Sequence, residues 1–591
     1  MPHYTITPLP QQHLFQIQLR FSHSSQEPVR LTLPNWVPGS YMIREFARHV
    51  VHIEASCNGQ PAELQAINKN TWQSAQTGQG DWLVEYHVYA FDLSVRGCYL
   101  DNERAFFDGA ALFFQVASHS EEPHQVELHF PAHWQTATAL PRLSGSSLYQ
   151  ARHYRHLIDC PLEAGSLEIL EFTAAGIPHR LVLSGHYPDF DRQRLLADTQ
   201  AICAAQLQFF PSPAPFEHYT FLLHLGGHIY GGLEHSNSTA LLADRSWLPE
   251  KNSSTASSNY SQLLGLISHE YFHAWNVKSI KPAALAQSDL NQEAYTRLLW
   301  AFEGITSYYD DLFLVRSGRI SPADYLEQLA HTLTCVRRNP GRRQQTLAQS
   351  SFHAWDKYYK QNENSPNAIT SYYQQGALAA LCLDLAIRQR SPHSLDTVMQ
   401  ALYQDWLARQ SPLAETEWEE FAQHITGLDL SELFDHLIRS TRDLPLESCL
   451  ATAGIRLHWL PLPPSHKGGC GSLPAVSPAN DFGARFQQNS SDITLSHVLT
   501  GGSAEQAGLA PGDRIVALNR YSTTDFAQQW QQQTPGSQVE LHYFRHGVLH
   551  RTQATVQAAR ADTAWLTIEN PAALDAWLQP APAFSGSLQT P

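Results

Sequence analysis

The stretch SHEYFHAWNVKSIKP, residues 268–282, constrains this chain more than any other. It places His269 and His273 four positions apart, with Glu270 directly after the first histidine. On an α-helix, residues i and i+4 share one face, so both imidazoles can bind one metal ion. The chain contains 31 histidines, and in such a sequence the pattern should arise by chance in roughly one case in ten. The interpretation therefore depends on the surrounding sequence.

The surrounding sequence favours a helix and offers a third ligand. YSQLLGLISHEYFHAWNV contains no proline, and its apolar residues recur at helical spacing. The residues that can form the buried stripe are Leu263, Leu266, Ile267 and Ala274. A catalytic zinc ion needs a third protein ligand and an open position. Glu303, in AFEGIT, lies thirty residues after His273, a spacing that allows a helix, a connection and an antiparallel return.

These residues predict a zinc site made of His269, His273 and Glu303. Zinc in such a site activates water and polarises a carbonyl. Glu270 is the expected general base, which takes the proton of the water and passes it to the leaving amine. The partners that orient the histidines stay open among three residues. These are Asn276, Asp310 and Asp311.

Composition excludes several classes of function. The chain of 591 residues is long enough for two to four domains. Its net charge of −16, from 39 basic and 55 acidic residues, argues against nucleic acid or an anionic membrane as the main partner. Apolar runs are near ten residues, too short to span a bilayer. The N-terminal residues do not resemble a signal peptide, and the eight cysteines form no C-x-x-C pair; we therefore expect reduced thiols and a cytoplasmic protein.

Hydrophobic patterning predicts a multidomain α+β chain. Residues 1–170 alternate apolar and polar residues between turn signals and predict a β-rich domain. Residues 171–455 predict a mixed, mainly helical domain, with helical patterns at 260–277, 291–317, 322–336, 371–389, 395–409 and 416–425. Residues 456–480 are rich in Pro, Gly and Ser and predict a linker. Strand patterns return in residues 481–565, and residues 566–591 are expected to form a loosely ordered tail.

The motifs HEYFHAWNVKSIKP and AFEGITSYY resemble the gluzincin aminopeptidases, and more closely the glycyl aminopeptidase family. NWVPGSYMIREFARHV (35–50) and YLDNERAFFDGAALFF (99–114) resemble the N-terminal domain of that family. The resemblance implies a β-rich N-terminal domain, a thermolysin-like catalytic domain and a C-terminal PDZ domain. It also implies one Zn²⁺ per chain and a preference for peptides with a small N-terminal residue, Gly or Ala.

Two further motifs receive roles from this resemblance. YGGLEHSNS, starting at Tyr230, is similar to a G-x-M-E-N stretch whose backbone lies along the substrate. The match implies that Gly231 and Gly232 contact the substrate and that Glu234 binds its free α-amino group. SYYQQGALAALCLDL is similar to a Y-x-K-G-A stretch, which implies that Tyr373 donates a hydrogen bond to the oxyanion.

DFGARF (481–486) and SHVLTGGSAEQAGLAPGDRIVALN (496–519) resemble a PDZ domain, whose loop would bind a peptide C-terminus. Two other functions remain open. A zinc endopeptidase is the first, although an anchor for the α-amine at Glu234 disfavours internal cleavage. A non-catalytic scaffold that binds peptides through the PDZ domain is the second. The sequence leaves the oligomeric state undetermined.

Overall fold

The structure is a computed structural model that describes residues 1–75, 78–143, 146–251, 256–286 and 288–581. The chain divides into two compact units. The first comprises Met1–Tyr295 with Leu402–Leu413, and the second comprises Thr296–Ala401 with Ala414–Pro591. No helix among the described residues is long and apolar enough to cross a membrane.

The first unit begins with the β-rich domain that the alternating pattern predicts. In Leu14–His23, every second side chain is buried, and the strand pairs antiparallel with Gly80–Tyr89 along its whole length. The strands of this sheet are His3–Leu9, Leu14–His23, Val50–Cys57, Gln60–Ala62, Gly80–Tyr89, His124–Leu128 and Leu148–Ala151. Two smaller sheets consist of Cys98–Leu100, Arg104–Phe107, Gln135–Thr138 and Leu162–Gly165, and of Arg30–Thr32, Leu64–Asn68, Thr71–Ser74 and Gln115–Val116. Aromatic and aliphatic side chains of all three sheets form one core.

A mixed sheet follows and carries part of the site. Its strands, in spatial order, are Glu168–Ala174, Ile177–Gly185, Tyr219–Gly226, Ser238–Asp244 and Gly231–Glu234. Gly231–Glu234, here called the edge strand, pairs antiparallel with Ser238–Asp244 and, among the described residues, with no other strand. The helix Ser258–Phe272, here called the HExxH helix, packs on these two strands, and the helix Arg192–Phe209 packs beside it. The expected domain boundary at residue 170 falls inside the strand Glu168–Ala174. This strand forms a hairpin with Ile177–Gly185 and therefore belongs to the mixed sheet.

Helices dominate the second unit, as the period of 3.6 residues predicts. They are Ile305–Arg316, Pro322–Arg337, Leu347–Phe352, Ser365–Ala368, Gln374–Arg390, Leu395–Arg409, Glu417–Thr426, Ser431–Leu437 and Leu446–Thr452, of which Leu395–Arg409 runs on into the first unit. Ser321 and Asp324 form a capping box at the start of Pro322–Arg337. The helical pattern predicted over 291–317 begins only at Trp300, where a π-helical turn, Trp300–Gly304, leads into Ile305–Arg316.

The C-terminal part of the second unit contains a compact β-domain. Its main sheet consists of Ala484–Gln488, Ile493–Val498, Arg514–Leu518, Tyr521–Ser522, Gln538–Arg545 and Val548–Thr555. The short strands Asn480–Asp481 and Gln557–Ala558 pair with each other, and the helices are Ser503–Gln506 and Phe526–Gln531. Phe482, Phe526 and Trp530 form the aromatic centre of its core.

The stretches expected to be a linker and a tail take part in regular structure. Ile455–Leu460 pairs antiparallel with Thr563–Ile568, and Gly469–Cys470 pairs with the other side of that strand. The helix Pro571–Leu578 follows and buries Trp577. Local composition predicts a linker here, but it carries no information on strand pairing. Ile455–Leu460 finds its partner, Thr563–Ile568, more than a hundred residues further along the chain. Residues 582–591 of the expected tail lie outside the described residues.

Candidate active site

The HExxH helix starts and ends where its sequence dictates. The hydroxyl of Ser257 caps its first turn by accepting the N–H of Tyr260. The residues at helical spacing on its inner side, among them Leu263 and Ile267, are fully buried. The helix ends at Phe272, and His273 keeps helical backbone angles as its C-cap, with its N–H donated to the carbonyl of His269. The two histidines therefore stay on one face.

The two imidazoles converge on one point. His269 Nε2 and His273 Nε2 lie 3.1 Å apart, with the rings nearly perpendicular. Two nitrogen ligands of one tetrahedral zinc ion would lie about 3.3 Å apart. The Nδ1–H of His273 donates to the backbone carbonyl of Asn276 at 2.8 Å, which leaves the Nε2 lone pair for a metal. Of the three candidate partners, Asn276 thus acts on His273, through its carbonyl rather than its side chain.

The edge strand and the HExxH helix each place one carboxylate beside His273. Glu234 and Glu270 are 4% and 6% exposed, and their carboxylate oxygens and a ring nitrogen of His273 all lie within 4.8 Å of one another. Glu270 lies directly over Gly232, because a Cβ atom on Gly232 would be 2.0 Å from Glu270 Oε1. Glu234, two residues along the strand, points to the same side as this missing Cβ. The cluster is strongly negative and suits a cationic group.

A loop of the β-rich domain closes over Glu234. Gly39 has a φ of +95°, and a Cβ atom there would lie 2.5 Å from Glu234 Oε1. The loop therefore needs glycine both for its backbone conformation and for the close approach of the carboxylate. This residue, in NWVPGSYMIREFARHV, forms a wall beside Glu234.

Asp159 ties the end of the edge strand to the segment after the HExxH helix. Its carboxylate accepts hydrogen bonds from Lys278 Nζ at 2.7 Å and from the N–H and hydroxyl of Ser236 at 3.1 and 2.5 Å. His235 Nδ1 lies 3.3 Å from the same carboxylate. Burial alone would raise the pKa of Asp159, but Lys278 and His235 outweigh burial and hold the pKa far below its usual value. The ion pair therefore persists at neutral pH.

A second carboxylate approaches His235 from the other side. Asp108 Oδ2 lies 3.9 Å from His235 Nε2, and both residues are almost completely buried. Burial raises the pKa of Asp108 to about 6, against the opposing effect of His235. His235, which stands where related motifs have asparagine, thus bridges two aspartates of the β-rich domain.

Glu303 belongs to the second unit and lies on the π-helical turn Trp300–Gly304, where it is 2% exposed. Gly304 packs against Gly376, since a Cβ atom on Gly304 would be 2.6 Å from Gly376 Cα. The two glycines let the helices of AFEGIT and SYYQQGALA approach closely. This approach explains why both motifs carry a glycine at these positions.

Tyr373 lies at the start of the helix Gln374–Arg390, near Glu303. Burial and then the charge of Glu303 raise the pKa of Tyr373 well above its usual value. The hydroxyl therefore keeps its proton and stays a hydrogen-bond donor at neutral pH. Its ring lies in a cluster with Tyr358 and Tyr372, with centroids 5.7 and 4.7 Å away. Asp310 and Asp311 lie two turns beyond Glu303, on the helix Ile305–Arg316.

Sequence reasoning missed Gly39, Asp159 and Lys278. Lys278 lies within SHEYFHAWNVKSIKP, and Gly39 within NWVPGSYMIREFARHV. Their roles depend on contacts between segments more than a hundred residues apart. No spacing rule predicts such contacts in a single sequence.

Comparisons with known proteins agree with this architecture. Residues 3–166 match the Peptidase M61 N-terminal domain, residues 262–379 match the M61 glycyl aminopeptidase, and residues 473–542 match the PDZ domain. The chain is similar to the crystal structure of an aminopeptidase N family protein from Idiomarina loihiensis. That match has a TM-score of 0.93 and 38% identity, and covers 98% of this chain and 100% of the other.

A more distant similarity is to an M1 zinc metallopeptidase mutant from Deinococcus radiodurans, solved with a Tyr-Ser-Ala substrate. That match has a TM-score of 0.46 and 16% identity, and covers 75% of this chain and 94% of the other. A search of curated protein sequences found no match.

A β-rich domain, a helical domain that follows an HExxH helix, and a PDZ domain define a metallopeptidase of the aminopeptidase class. The full-length match at 38% identity and the three domain matches specify the family. The chain belongs to the M61 glycyl aminopeptidase family, and its C-terminal domain is a PDZ domain.

Proposed function

We propose that this protein is a zinc aminopeptidase that releases small N-terminal residues, Gly or Ala, from peptides. The observation that carries the proposal is the cluster of Glu234, Glu270 and His273, whose ligand atoms lie within 4.8 Å of one another. It places a carboxylate suited to a substrate ammonium beside a carboxylate suited to a general base. The size preference rests on the family alone.

We propose that His269, His273 and Glu303 hold one Zn²⁺ per chain, as in a gluzincin. The donor set fits zinc, because two neutral imidazoles and one carboxylate are ligands that zinc prefers. The 3.1 Å separation of the two Nε2 atoms and the carbonyl that orients His273 support the proposal. The family match runs without interruption from the HExxH helix through Glu303. Zinc, when bound, would supply Lewis acidity toward water and the scissile carbonyl.

The residues of the chain perform the remaining steps. Glu234 binds the free α-ammonium of the substrate by a charge-assisted hydrogen bond and fixes the first peptide bond in place. Glu270 takes a proton from the attacking water on a carboxylate oxygen and delivers it to the leaving amine. Tyr373 donates its hydroxyl proton in a hydrogen bond to the developing oxyanion. The backbone of Gly231 and Gly232 lies along the substrate.

Glu234 and Gly39 favour removal of single residues over internal cleavage. Gly39 packs on the Glu234 carboxylate, so a chain that continued upstream of the amine would meet this loop. The zinc endopeptidase is therefore the weaker alternative. The non-catalytic scaffold is weaker still, because all the proposed catalytic residues are present.

We propose a peptide C-terminus as the ligand of the PDZ domain. In the loop DFGARF, the N–H of Gly483 donates to Asp481 Oδ1 at 2.8 Å. An incoming carboxylate would therefore have to displace Asp481 from this amide.

The eight cysteines, all in the described residues, are free thiols, which supports the proposed cytoplasmic location.

The proposal is tested by hydrolysis of Gly-, Ala- and Leu-p-nitroanilide beside N-acetyl-Ala-p-nitroanilide, with and without a chelator. We expect cleavage of the free-amine substrates only, with Gly and Ala faster than Leu. A chelator should abolish the activity and zinc should restore it. Equal cleavage of the acetylated substrate would contradict the exopeptidase, and a zinc-loaded protein without activity would support the scaffold.

A further inference from the structure

Arg96 of the β-rich domain lies against the edge strand. Its Nη2 donates to the carbonyl of Gly232 at 2.9 Å. A Cβ atom on Gly231 would lie 3.8 Å from Arg96 Nη1. The guanidinium thus contacts the edge strand two residues before Glu234. A peptide whose amine is bound at Glu234 and which extends along the strand would pass this position.

The position of Arg96 is on the free side of the edge strand. This strand ends the mixed sheet and, within the described part of the chain, pairs only with Ser238–Asp244. The N–H of His235 donates to the carbonyl of Ser238, and backbone groups alternate in direction along a strand, so the carbonyl of Gly232 faces away from Ser238–Asp244 and accepts the Arg96 N–H there. A substrate that follows the free edge must pass the guanidinium.

The charge of Arg96 has no acidic partner in the described part of the chain, because no carboxylate there lies within ion-pair distance. Its Nε is buried and forms no hydrogen bond to a described residue. Arg104 in the same domain contrasts with it, since Glu163 binds Arg104 Nε and Nη2 at 2.6 and 2.9 Å. A buried guanidinium donor without an acceptor is costly, so a site for an anion is the natural complement.

The chemistry of the substrate supplies such an anion. A short peptide carries an ammonium at one end and a carboxylate at the other. Glu234 and Gly232 are two residues apart, or about 6.6 Å along a strand. An extended peptide of two or three residues whose amine is bound at Glu234 has its carboxylate at this distance or one residue beyond.

We propose that Arg96 binds the C-terminal carboxylate of dipeptide and tripeptide substrates and so makes short peptides the preferred substrate class. The inference rests on the proposed aminopeptidase function. The planar guanidinium can offer two N–H donors to one carboxylate while its Nη2 keeps the Gly232 carbonyl. The two ends of a short peptide are then bound by side chains of opposite charge: Glu234 binds the amine and Arg96 binds the carboxylate.

The test compares kcat/KM of the wild-type protein on alanine peptides of two to five residues, each with a free C-terminus and as the C-terminal amide. We expect the free acid to be favoured over the amide by roughly tenfold or more for two or three residues. This ratio should fall toward one for five residues. Equal rates for short acids and amides would overturn the inference, whichever variant is then made.

Variants separate substrate binding from support of the strand. In Arg96→Gln the acid-to-amide ratio of the dipeptide should fall to about one, mainly through KM, and Arg96→Lys should retain part of it. Arg20→Gln, at an exposed arginine whose guanidinium donates a hydrogen bond to Gln18, is the matched control and should keep the wild-type ratio. If Arg96→Gln slows acid and amide equally, Arg96 only supports the edge strand and the inference is wrong.

Cleavage of Ala-p-nitroanilide by the wild-type protein keeps the two proposals apart. This substrate has no C-terminal carboxylate and reports the aminopeptidase alone. If it is cleaved while the acid-to-amide ratio is one, only the role of Arg96 fails. If no substrate is cleaved, both the proposed function and the role of Arg96 are wrong.

Discussion

At the residue scale, Gly232 is the position where one added methyl group should have the largest effect. In Gly232→Ala the new Cβ would lie 2.0 Å from Glu270 Oε1. Glu270 must then swing away, and displacement of a reacting group by about 1 Å can cost roughly a hundredfold in rate. We expect kcat to fall by about that factor while zinc content and thermal stability change little. Gly227→Ala, with no atom within 4 Å of its Cβ, is the matched control and should behave as wild type.

Glu270 itself tests the proton transfer. Glu270→Gln preserves shape but removes the group that accepts the proton. We expect kcat to fall by roughly a hundredfold to ten-thousandfold, with zinc content unchanged in a metal assay. Glu217→Gln, at an exposed position, serves as the control. Retained turnover in Glu270→Gln would remove the general-base role.

The residues of the proposed site could be named from the sequence because their chemistry sits in compact motifs. His269, Glu270 and His273 are indicated by helical spacing, Glu303 by its distance from them along the chain, and Glu234 and Tyr373 by similarity to known motifs. Gly39, Asp159 and Arg96 could not be named, since each acts through a contact with a segment far away in the chain. Their roles follow only from the three-dimensional arrangement.

At the scale of elements, Asp159 is the group that connects the edge strand, the segment after the HExxH helix and the β-rich domain. In Asp159→Asn the ammonium of Lys278 loses its partner; the side chains of Asp159 and Lys278 are 19% and 12% exposed, so we expect a cost below that of a fully buried ion pair, about 3–5 kcal/mol. We expect a lower melting temperature at pH 7 and a lower rate, because Ser236 follows Glu234 closely. Asp189→Asn, which removes an exposed carboxylate that Lys251 and Arg192 bind, should have almost no effect on the melting temperature.

The pH dependence of this effect has a defined sign. Lys278 and His235 outweigh burial and hold the pKa of Asp159 far below its unfolded value. The pair therefore contributes fully above about pH 4, the unfolded pKa, and its contribution is lost as the pH falls further. The difference in melting temperature between wild type and Asp159→Asn should shrink as the pH falls from about 4 toward pH 3, below the range in which Asp108, with its pKa of about 6, titrates. A difference that grows on acidification would contradict the ion pair.

Helices of the second unit could be predicted more fully than its long-range strands. The patterns at 322–336, 371–389, 395–409 and 416–425 correspond to helices in the structure, because caps and apolar periodicity are local signals. The pairing of Ile455–Leu460 with Thr563–Ile568 could not be predicted, because the local sequence of a strand does not specify which distant strand it pairs with. A proline- and glycine-rich stretch beside a strand is easily taken for a linker.

At the scale of the whole molecule, the last described residues pack against helices of the second unit. Trp577 is buried, and its Nε1–H donates to the hydroxyl of Tyr308 at 3.0 Å. Arg316 Nε donates to the carbonyl of Leu578 at 3.1 Å, and the N–H of Ala581 donates to Asp396. Tyr308 and Arg316 lie on the helix that follows Glu303. The helix Pro571–Leu578 therefore supports, from within the same unit, the element that carries a proposed zinc ligand.

Trp577→Ala tests this support. Removal of a buried tryptophan side chain costs about 3–5 kcal/mol of unfolding free energy, so the melting temperature of the second unit should fall clearly. Zinc affinity should fall with it, because Glu303 lies on the turn that leads into the same helix. Trp577→Phe keeps most of the buried surface and loses only the hydrogen bond to Tyr308, a loss of about 1 kcal/mol. If both variants melt as the wild type does, the C-terminal helix does not stabilise this unit; if only zinc affinity is unchanged, the helix stabilises the unit without positioning Glu303.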